Sequence, residues 1–300
     1  MANFEYTVKE SDKKLSVKVL IRNNFTFSSR LMSKLRQKNL IMLNGQPTAG
    51  WITPEVGDVI SVVLPDESSN FQPENIPISP VYEDNDLLII NKQPGIIVHP
   101  TSGHPLHTIA NGLMKYMEDT NQTFKIRFIN RLDMDTSGIL VIGKNSHAQD
   151  ELTKQMKTKD IEKRYIAIVK GIISEDEFTI DLPIGRPDID KVERGVMETG
   201  GYPSVTHVKV LQRFSKGFTL VELLLATGRT HQIRVHLSHI GYPIVGDHLY
   251  GGSNPWLIQR QALHACSLTF NHPVTGKTIT ATAPIPDDIK KVIEIISSEV

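Results

Sequence analysis

The stretch FINRLDMDTSGILVIGKN, residues 128–145, sets an arginine and two carboxylates directly against an apolar run. Arg131, Asp133 and Asp135 lead into Thr136-Ser137-Gly138, and Ile139-Leu140-Val141-Ile142 follows. A buried carboxylate is costly unless it is paired. Either these charges point outward from a plain turn, or one of them is held in a pocket for chemistry. In a pocket a carboxylate can serve as a nucleophile or as a general acid or base. Asp133 and Asp135 could also be read as a glycosidase pair. Residues i and i+2 share a strand face with carboxyls roughly 7 Å apart, but most such pairs come from separate strands.

A second stretch, LATGRTHQIRVHLSHIGYPIVGDHLYG at 225–251, is rich in histidine and arginine. The chain has eleven histidines. His231, His236 and His239, or His99, His104 and His107, could suggest metal ligands. No nearby carboxylate completes a recognised metal pattern, and Cys266 is the single cysteine, so no metal is expected. One cysteine also excludes an internal disulfide. There is no GxGxxG following a strand and no Walker sequence, so no nucleotide cofactor is expected.

The elements that must carry these residues can be read from periodicity and turn signals. DLLIINK reads as a strand. HTIANGLMKYMED and SHAQDELTKQMK read as helices, the second with Ala148, Leu152 and Met156 on one face. KRYIAIVKG alternates, so Tyr165, Ala167 and Val169 share one strand face. FTLVELLLAT and ALHACSLTF are further strands. THQIRVHLSHIG reads as a helix ended by Gly241. Its apolar stripe is Ile233, Leu237 and Ile240, and His231, Arg234 and Ser238 lie on a different face. Strands outnumber helices and their connections are irregular. The expected fold class is α+β, with a mixed, mainly antiparallel sheet.

Residues 65–86 hold six acids, four prolines and no base. Proline locks φ and breaks helices, so this stretch reads as a connection. The expected division is a small α/β module at 1–64, a linker at 65–80 and a large domain at 81–300. In the small module SSRLMSKLRQKN reads as a helix capped by Ser28 or Ser29. Leu31 and Leu35 share one side, while Arg30, Lys34 and Lys38 repeat on another. LIMLNGQPT and VGDVISVVLP read as strands with Asn-Gly and Gly-Asp turns.

Net charge is zero, but its distribution is uneven. Residues 1–64 hold nine Lys/Arg against five Asp/Glu, and from Lys13 to Lys38 there are eight bases and no acid. Such a face fits an RNA footprint, or else a solvated helix. A hydrophobic fraction of 39% and a charged fraction of 22% are ordinary for a globular protein. No apolar run approaches the ~20 residues of a membrane helix. The first residues, MANFEYTVKESDKKL, lack the apolar core of an export signal. The expectation is a cytoplasmic protein with no membrane association.

Several motifs stand in one order along residues 80–285. They are NKQPGIIVHP, the Arg-Leu-Asp-x-x-Thr-Ser-Gly of the opening stretch, KRYIAIVKG, GRTHQIRVHL with GYPIVGDHLYG, and LHACSLTFNHPVTG. In these motifs the chain resembles the family of large-subunit ribosomal RNA pseudouridine synthases. The N-terminal module resembles the alpha-L RNA-binding module, through its basic helix and its Asn-Gly and Gly-Asp turns. Two positions depart from the family pattern. Asn130 stands where the family usually has His, and Pro94 falls one place later than usual after Asn91-Lys92.

The resemblance implies an enzyme that detaches uracil from its ribose, turns it and rejoins it through C5. It implies RNA as partner, ribosomal rather than transfer RNA, with no cofactor and no obligatory protein partner. By resemblance Asp133 is the nucleophile and Arg234 the cation that keeps it ionised. Tyr165 stacks on the flipped base, Leu263 forms the opposite wall, and Arg131 fills the vacated space in the RNA. Thr136, His231 and Arg229 are expected at the substrate, Thr136 chiefly by shaping the turn that aims Asp133. Arg30, Lys34 and Lys38 are the expected RNA contacts of the module. Two other classes stay open on the sequence: a non-catalytic RNA-binding or ribosome-assembly factor, and a carbohydrate hydrolase.

Overall fold

The computed structural model describes residues 3–298 apart from 102, 159 and 189. In chain order the N-terminal module comprises β1 (Asn3–Thr7), α1 (Val17–Asn24), α2 (Ser29–Gln37), β2 (Ile41–Leu43), β3 (Gln46–Pro47) and β4 (Val59–Val63). Ser28 caps α2 by accepting the Leu31 N–H. The helix therefore ends one residue short of Lys38, which is its C-terminal cap. A four-stranded sheet, ordered β1-β4-β2-β3, closes over α1 and α2 around Leu20, Ile21, Leu31, Leu35, Ile60 and Val62.

The rest of the chain opens with β5 (Pro80–Glu83), β6 (Leu87–Lys92), α3 (Ile109–Asp119), β7 (Arg127–Phe128), β8 (Ser137–Gly143), α4 (Ser146–Thr158) and β9 (Glu162–Lys170). It continues with β10 (Glu177–Asp181), β11 (Ile184–Gly185), β12 (Gly195–Val196), β13 (Val205–Phe214) and β14 (Phe218–Leu225). Then come α5 (Gln232–His239), β15 (Leu263–Asn271), β16 (Thr278–Thr282) and α6 (Asp287–Ser297). One large sheet runs β10-β13-β14-β9-β15-β8-β6-β5, with β16 on β15 and β7 on β8. Every pairing in it is antiparallel except β15 with β8. The mixed, mainly antiparallel sheet is the architecture expected.

The apolar run after the charged stretch is now explained. Strand β8 is buried on both faces. Ile139 and Val141 pack with Ala148 and Leu152 of α4, whereas Leu140 and Ile142 pack with Ile109, Leu113 and Met117 of α3. A strand covered on both sides needs a continuous hydrophobic sequence. At its start Gly138 has φ +116°, and a Cβ there would lie 2.2 Å from the Ala265 carbonyl oxygen. Only glycine lets β15 come this close.

The segment at 65–79 does not hang free as a linker does. Glu67 bridges Lys34 of α2 and Arg127 of the large domain. The Asn111 amide of α3 donates to Gln72 O at 2.9 Å, and Phe71 joins the cluster beneath α3. Phe4 and Phe27 of the small module meet the His147 ring edge-on, each at 5.1 Å. No helix among the described residues is long and apolar enough to cross a membrane.

His147, His236 and His264 are buried, and burial lowers the pKa of each. In each, Nε2 faces a carbonyl oxygen and so carries the proton. The unfolded chain takes up protons near pH 6.5, before these folded rings do, so their contribution to stability is present above that pH and is lost below it. Urea unfolding at pH 7 and pH 5 is expected to show lower stability at pH 5. The loss should approach about 1.4 kcal/mol per pH unit for each histidine in the window. Equal stability at the two values would contradict this reading.

Candidate active site

Asp133 sits on a turn that closes with the Thr136 N–H donating to Asp133 O at 3.1 Å. That turn feeds β8 at the one parallel junction of the large sheet, beside the start of β15. Its carboxylate is partly exposed, and it lines an open cleft of about 1430 Å³. The cleft extends from α2, at Ser28, Arg30 and Lys34, across residues 125–133 to Tyr165 and Arg229. Seven Lys or Arg line it (Arg30, Lys34, Lys125, Arg127, Arg131, Lys163, Arg229), against three acids (Glu67, Asp133, Asp150). A surplus of four positive charges is gathered there on a chain of zero net charge.

Arg234 Nη1 donates to Asp133 Oδ2 at 3.2 Å. Its other face is locked: Nε donates to Asp247 Oδ2 at 2.7 Å and Nη2 to Asp247 Oδ1 at 2.9 Å. This fork-on-fork pair is almost wholly buried. It fixes the guanidinium plane, as a lysine could not. Asp247 is itself held by the N–H groups of Leu249 and Tyr250. Gly246 turns the chain there at φ +80°, where a Cβ would meet the Arg260 carbonyl oxygen at 2.0 Å. The Tyr250 ring lies 5.0 Å from the Arg234 guanidinium. Helix α5 shows Ile233 and Leu237 buried as expected, but Gln232, Arg234, Val235 and His236 are buried as well.

Two cations brace the turn from behind. Lys92 is fully buried at the end of β6, and its Nζ donates to the carbonyls of Gln93, Met134 and Thr136 at 2.8–2.9 Å. Burial pushes its pKa down to about 7, with Asp135 and Asp133 pulling the other way. Arg260 pairs with Asp288 through both Nε and Nη2, and donates from Nη1 to Asp135 O at 2.9 Å. The Asp133 turn therefore hangs from its own carbonyl oxygens.

A carboxylate held by one fixed cation at the end of a basic cleft is the arrangement the sequence motifs pointed to. A family model described as RNA pseudouridylate synthase matches residues 86–239. The chain belongs to the RNA pseudouridylate synthase family. It is thus an RNA pseudouridine synthase, an isomerase. It is 38% identical over 299 residues to an RNA pseudouridine synthase of Bacillus subtilis, itself uncharacterized, covering 98% of each chain. It is 38% identical over 247 residues to ribosomal large subunit pseudouridine synthase D of Haemophilus ducreyi, covering 78% of this chain and 75% of that one. Among solved structures, human RNA pseudouridylate synthase domain containing 1 superposes with a TM-score of 0.57 at 29% identity, over 69% of this chain and 83% of that one.

Within the synthase the expected site residues separate into three groups. Asp133, Arg234, Tyr165, Arg131 and Arg229 converge on the cleft or touch the residues that line it. Arg229 also lies over the Tyr202 ring at 5.4 Å. Arg30 and Lys34 line the far end, though Lys34 is paired with Glu67; Lys38 does not line it. Thr136 and Leu263 lie behind the cleft surface. Thr136 is buried behind the turn, where its hydroxyl accepts from the Gln261 amide at 3.2 Å. Leu263 is 4% exposed, within the apolar cluster that includes Tyr165 and Leu132, and neither residue lines the cleft. His231 is the cap of α5, with Nε2 3.9 Å from Asp133 Oδ2.

Asn130, where the family has His, has a structural task. Its side chain accepts the Val141 N–H and donates to Ile139 O, bridging two backbone groups of β8. Sequence reasoning assigned no role to Asp247, Tyr250, Lys92 or Arg260. The GDHLY and NK motifs carried three of them without saying what they touch. A cluster it also missed, Asp84, Asp86 and His272, lies together on the far side of the sheet. There His272 Nδ1 accepts the Val274 and Thr275 N–H groups and Nε2 donates to Asp84. Neither ring nitrogen keeps a lone pair for a metal.

Replacing Lys92 by Met leaves the carbonyls of the turn without their buried donor. Lys92→Met is expected to lose about 1–3 kcal/mol of folding stability. Its turnover should fall further than its RNA affinity. Chemical denaturation and a turnover assay check this, and a variant as stable and active as wild type would refute the bracing role.

Proposed function

We propose that the synthase isomerises uridines of large-subunit ribosomal RNA in the cytoplasm, with Asp133 as the nucleophile. The observation that carries the reading is the Asp133 carboxylate, paired with the locked Arg234 and facing the basic cleft. The names of relatives such as the Haemophilus ducreyi enzyme favour ribosomal over transfer RNA as substrate.

The reaction breaks the C1′–N1 bond, forms C1′–C5, releases the proton of C5 and places one on N1. Atoms and electrons balance without water, oxidant or phosphate. What the chain must supply is a nucleophile, a place for the detached base and a way to reach a stacked uridine. Arg234 holds the Asp133 carboxylate at the end of the cleft through Nη1.

Tyr165 is buried on β9, and burial together with the Asp133 charge raises its hydroxyl pKa well above the usual value. It is a neutral phenol at working pH, suited to stacking on the base rather than to accepting a proton. Leu263 packs behind this wall and Thr136 steadies the turn. Arg131 is exposed at the rim of the cleft, where it can take the place of a flipped uridine. Arg229 flanks the entry to α5, and Arg30 and Lys34 carry the cleft onto the small module, where the RNA backbone can follow. Phosphate contacts of this kind set affinity and its salt dependence, not chemistry.

The test is tritium release from C5-tritiated uridine in large-subunit ribosomal RNA, with transfer RNA run alongside. Wild type is expected to release tritium from the ribosomal RNA. Asp133→Asn should abolish release and keep RNA affinity within about threefold, since binding rests on phosphate contacts elsewhere. Turnover by Asp133→Asn would sink the assigned nucleophile, and release from transfer RNA alone would sink the assigned substrate.

A further inference from the structure

Three groups meet at the N-terminus of α5 around His231: the Asp133 carboxylate, the Tyr250 hydroxyl and the Arg194 backbone. His231 caps the helix in a left-handed conformation, φ +58°. Among non-glycine residues, His, Asn and Asp are the ones enriched there. Its Nδ1 lies 2.8 Å from Tyr250 Oη, and its Nε2 lies 3.9 Å from Asp133 Oδ2. Tyr250 Oη also accepts the Arg194 N–H at 2.8 Å.

Two arguments give the same tautomer. With Oη accepting from Arg194, the phenolic proton is free to point at Nδ1, and Nδ1 is bare when it accepts that proton. At the other end Nε2 faces a carboxylate oxygen. A lone pair there would be repelled and an N–H attracted. Burial holds the ring's pKa below its ordinary value. The charged groups around it oppose one another, with Asp133 and Asp247 favouring the imidazolium and Arg234 and Arg194 disfavouring it. The ring is therefore neutral, with its proton on Nε2.

We propose that His231 is a positioning residue for Asp133: locked as the Nε2–H tautomer by the Arg194–Tyr250 relay, it holds Oδ2 and leaves Oδ1 as the reacting oxygen. This rests on Asp133 being the nucleophile. Arg234 Nη1 already donates to Oδ2. A second donor on the same oxygen stops the carboxylate from rotating, and Oδ1 keeps its lone pairs for the substrate. A neutral donor suits this better than a charged one, because an imidazolium would draw off the electron density the nucleophile needs. At 3.9 Å the contact is longer than a hydrogen bond. Such contacts are often long in free enzymes and tighten when substrate binds. His231 is thus assigned to Asp133 rather than to the substrate itself.

The direct test is ¹⁵N NMR of histidine-labelled enzyme without RNA, the His231 signals being identified by their loss in His231→Asn. The expected spectrum shows protonated Nε2 and bare Nδ1. Protonated Nδ1, or an imidazolium, would overturn the proposal. Tyr250→Phe keeps the ring on Arg234 and removes only the hydroxyl; it should shift the tautomer balance and slow turnover.

The kinetic test compares two substitutions in single-turnover reactions with the ribosomal RNA that wild type converts. Asparagine tolerates the left-handed backbone but reaches only the Nδ1 position. Glutamine places an amide N–H near Nε2. His231→Asn is expected to lower the rate constant about 10-fold to 100-fold with RNA affinity unchanged. His231→Gln should recover part of that loss. His231→Asn at the wild-type rate, or no difference between Asn and Gln, would overturn the proposal. Failure of the nucleophile assignment shows separately, as turnover by Asp133→Asn. The NMR result stands apart from both.

Discussion

The active site depends on a guanidinium that is not free to move. Arg234 is buried, and a buried charge with no partner costs several kcal/mol. Asp247 meets that cost with two parallel hydrogen bonds and is itself fixed by two backbone N–H groups. One Arg234 nitrogen, Nη1, is left for Asp133. The cation that meets Asp133 is thus oriented before substrate arrives. This is why the helix that carries it is buried on nearly every side, and why Gly246 must let the Asp247 turn run so close to Arg260.

The sheet does the rest of the positioning. Antiparallel pairing surrounds a single parallel step between β8 and β15, and the Asp133 turn opens at that step. Gly138 allows the two strands to touch, while Lys92 and Arg260 hold the turn by its carbonyl oxygens. Tyr165 reaches the same place from β9. Five separate parts of the chain therefore deliver one carboxylate, one cation, one flat wall and two braces to the end of a cleft. The cleft's excess positive charge continues onto the small module, whose basic helix α2 forms its far side.

Much of this was legible in the sequence. Alternation in KRYIAIVKG put Tyr165 inward, the 3.6-residue period put Arg234 off the apolar stripe, and motif order named the family. Other parts were not legible, for physical reasons. A buried lysine such as Lys92 looks like any surface lysine until its three carbonyl acceptors are seen. Asp247 lies 13 residues beyond Arg234, past the end of α5 and in an irregular loop, and no local period carries that information. The connection at 65–80 reads as a linker by composition, yet Glu67, Phe71 and Gln72 are pinned by contacts with residues far along the chain. The family resemblance points to Thr136 and Leu263 near the substrate, but only the folded turn and strand show their side chains packed behind the cleft surface.

The central claim is that Arg234 acts on Asp133 only as Asp247 positions it. A double-mutant cycle of Arg234→Lys and Asp247→Asn, read as single-turnover pseudouridine formation at saturating enzyme, tests it most directly. If the two residues act as one device, either substitution alone should slow the reaction about as much as both together. Effects that multiply, with the double variant slower by the product of the two losses, would show that they act independently and would contradict the account.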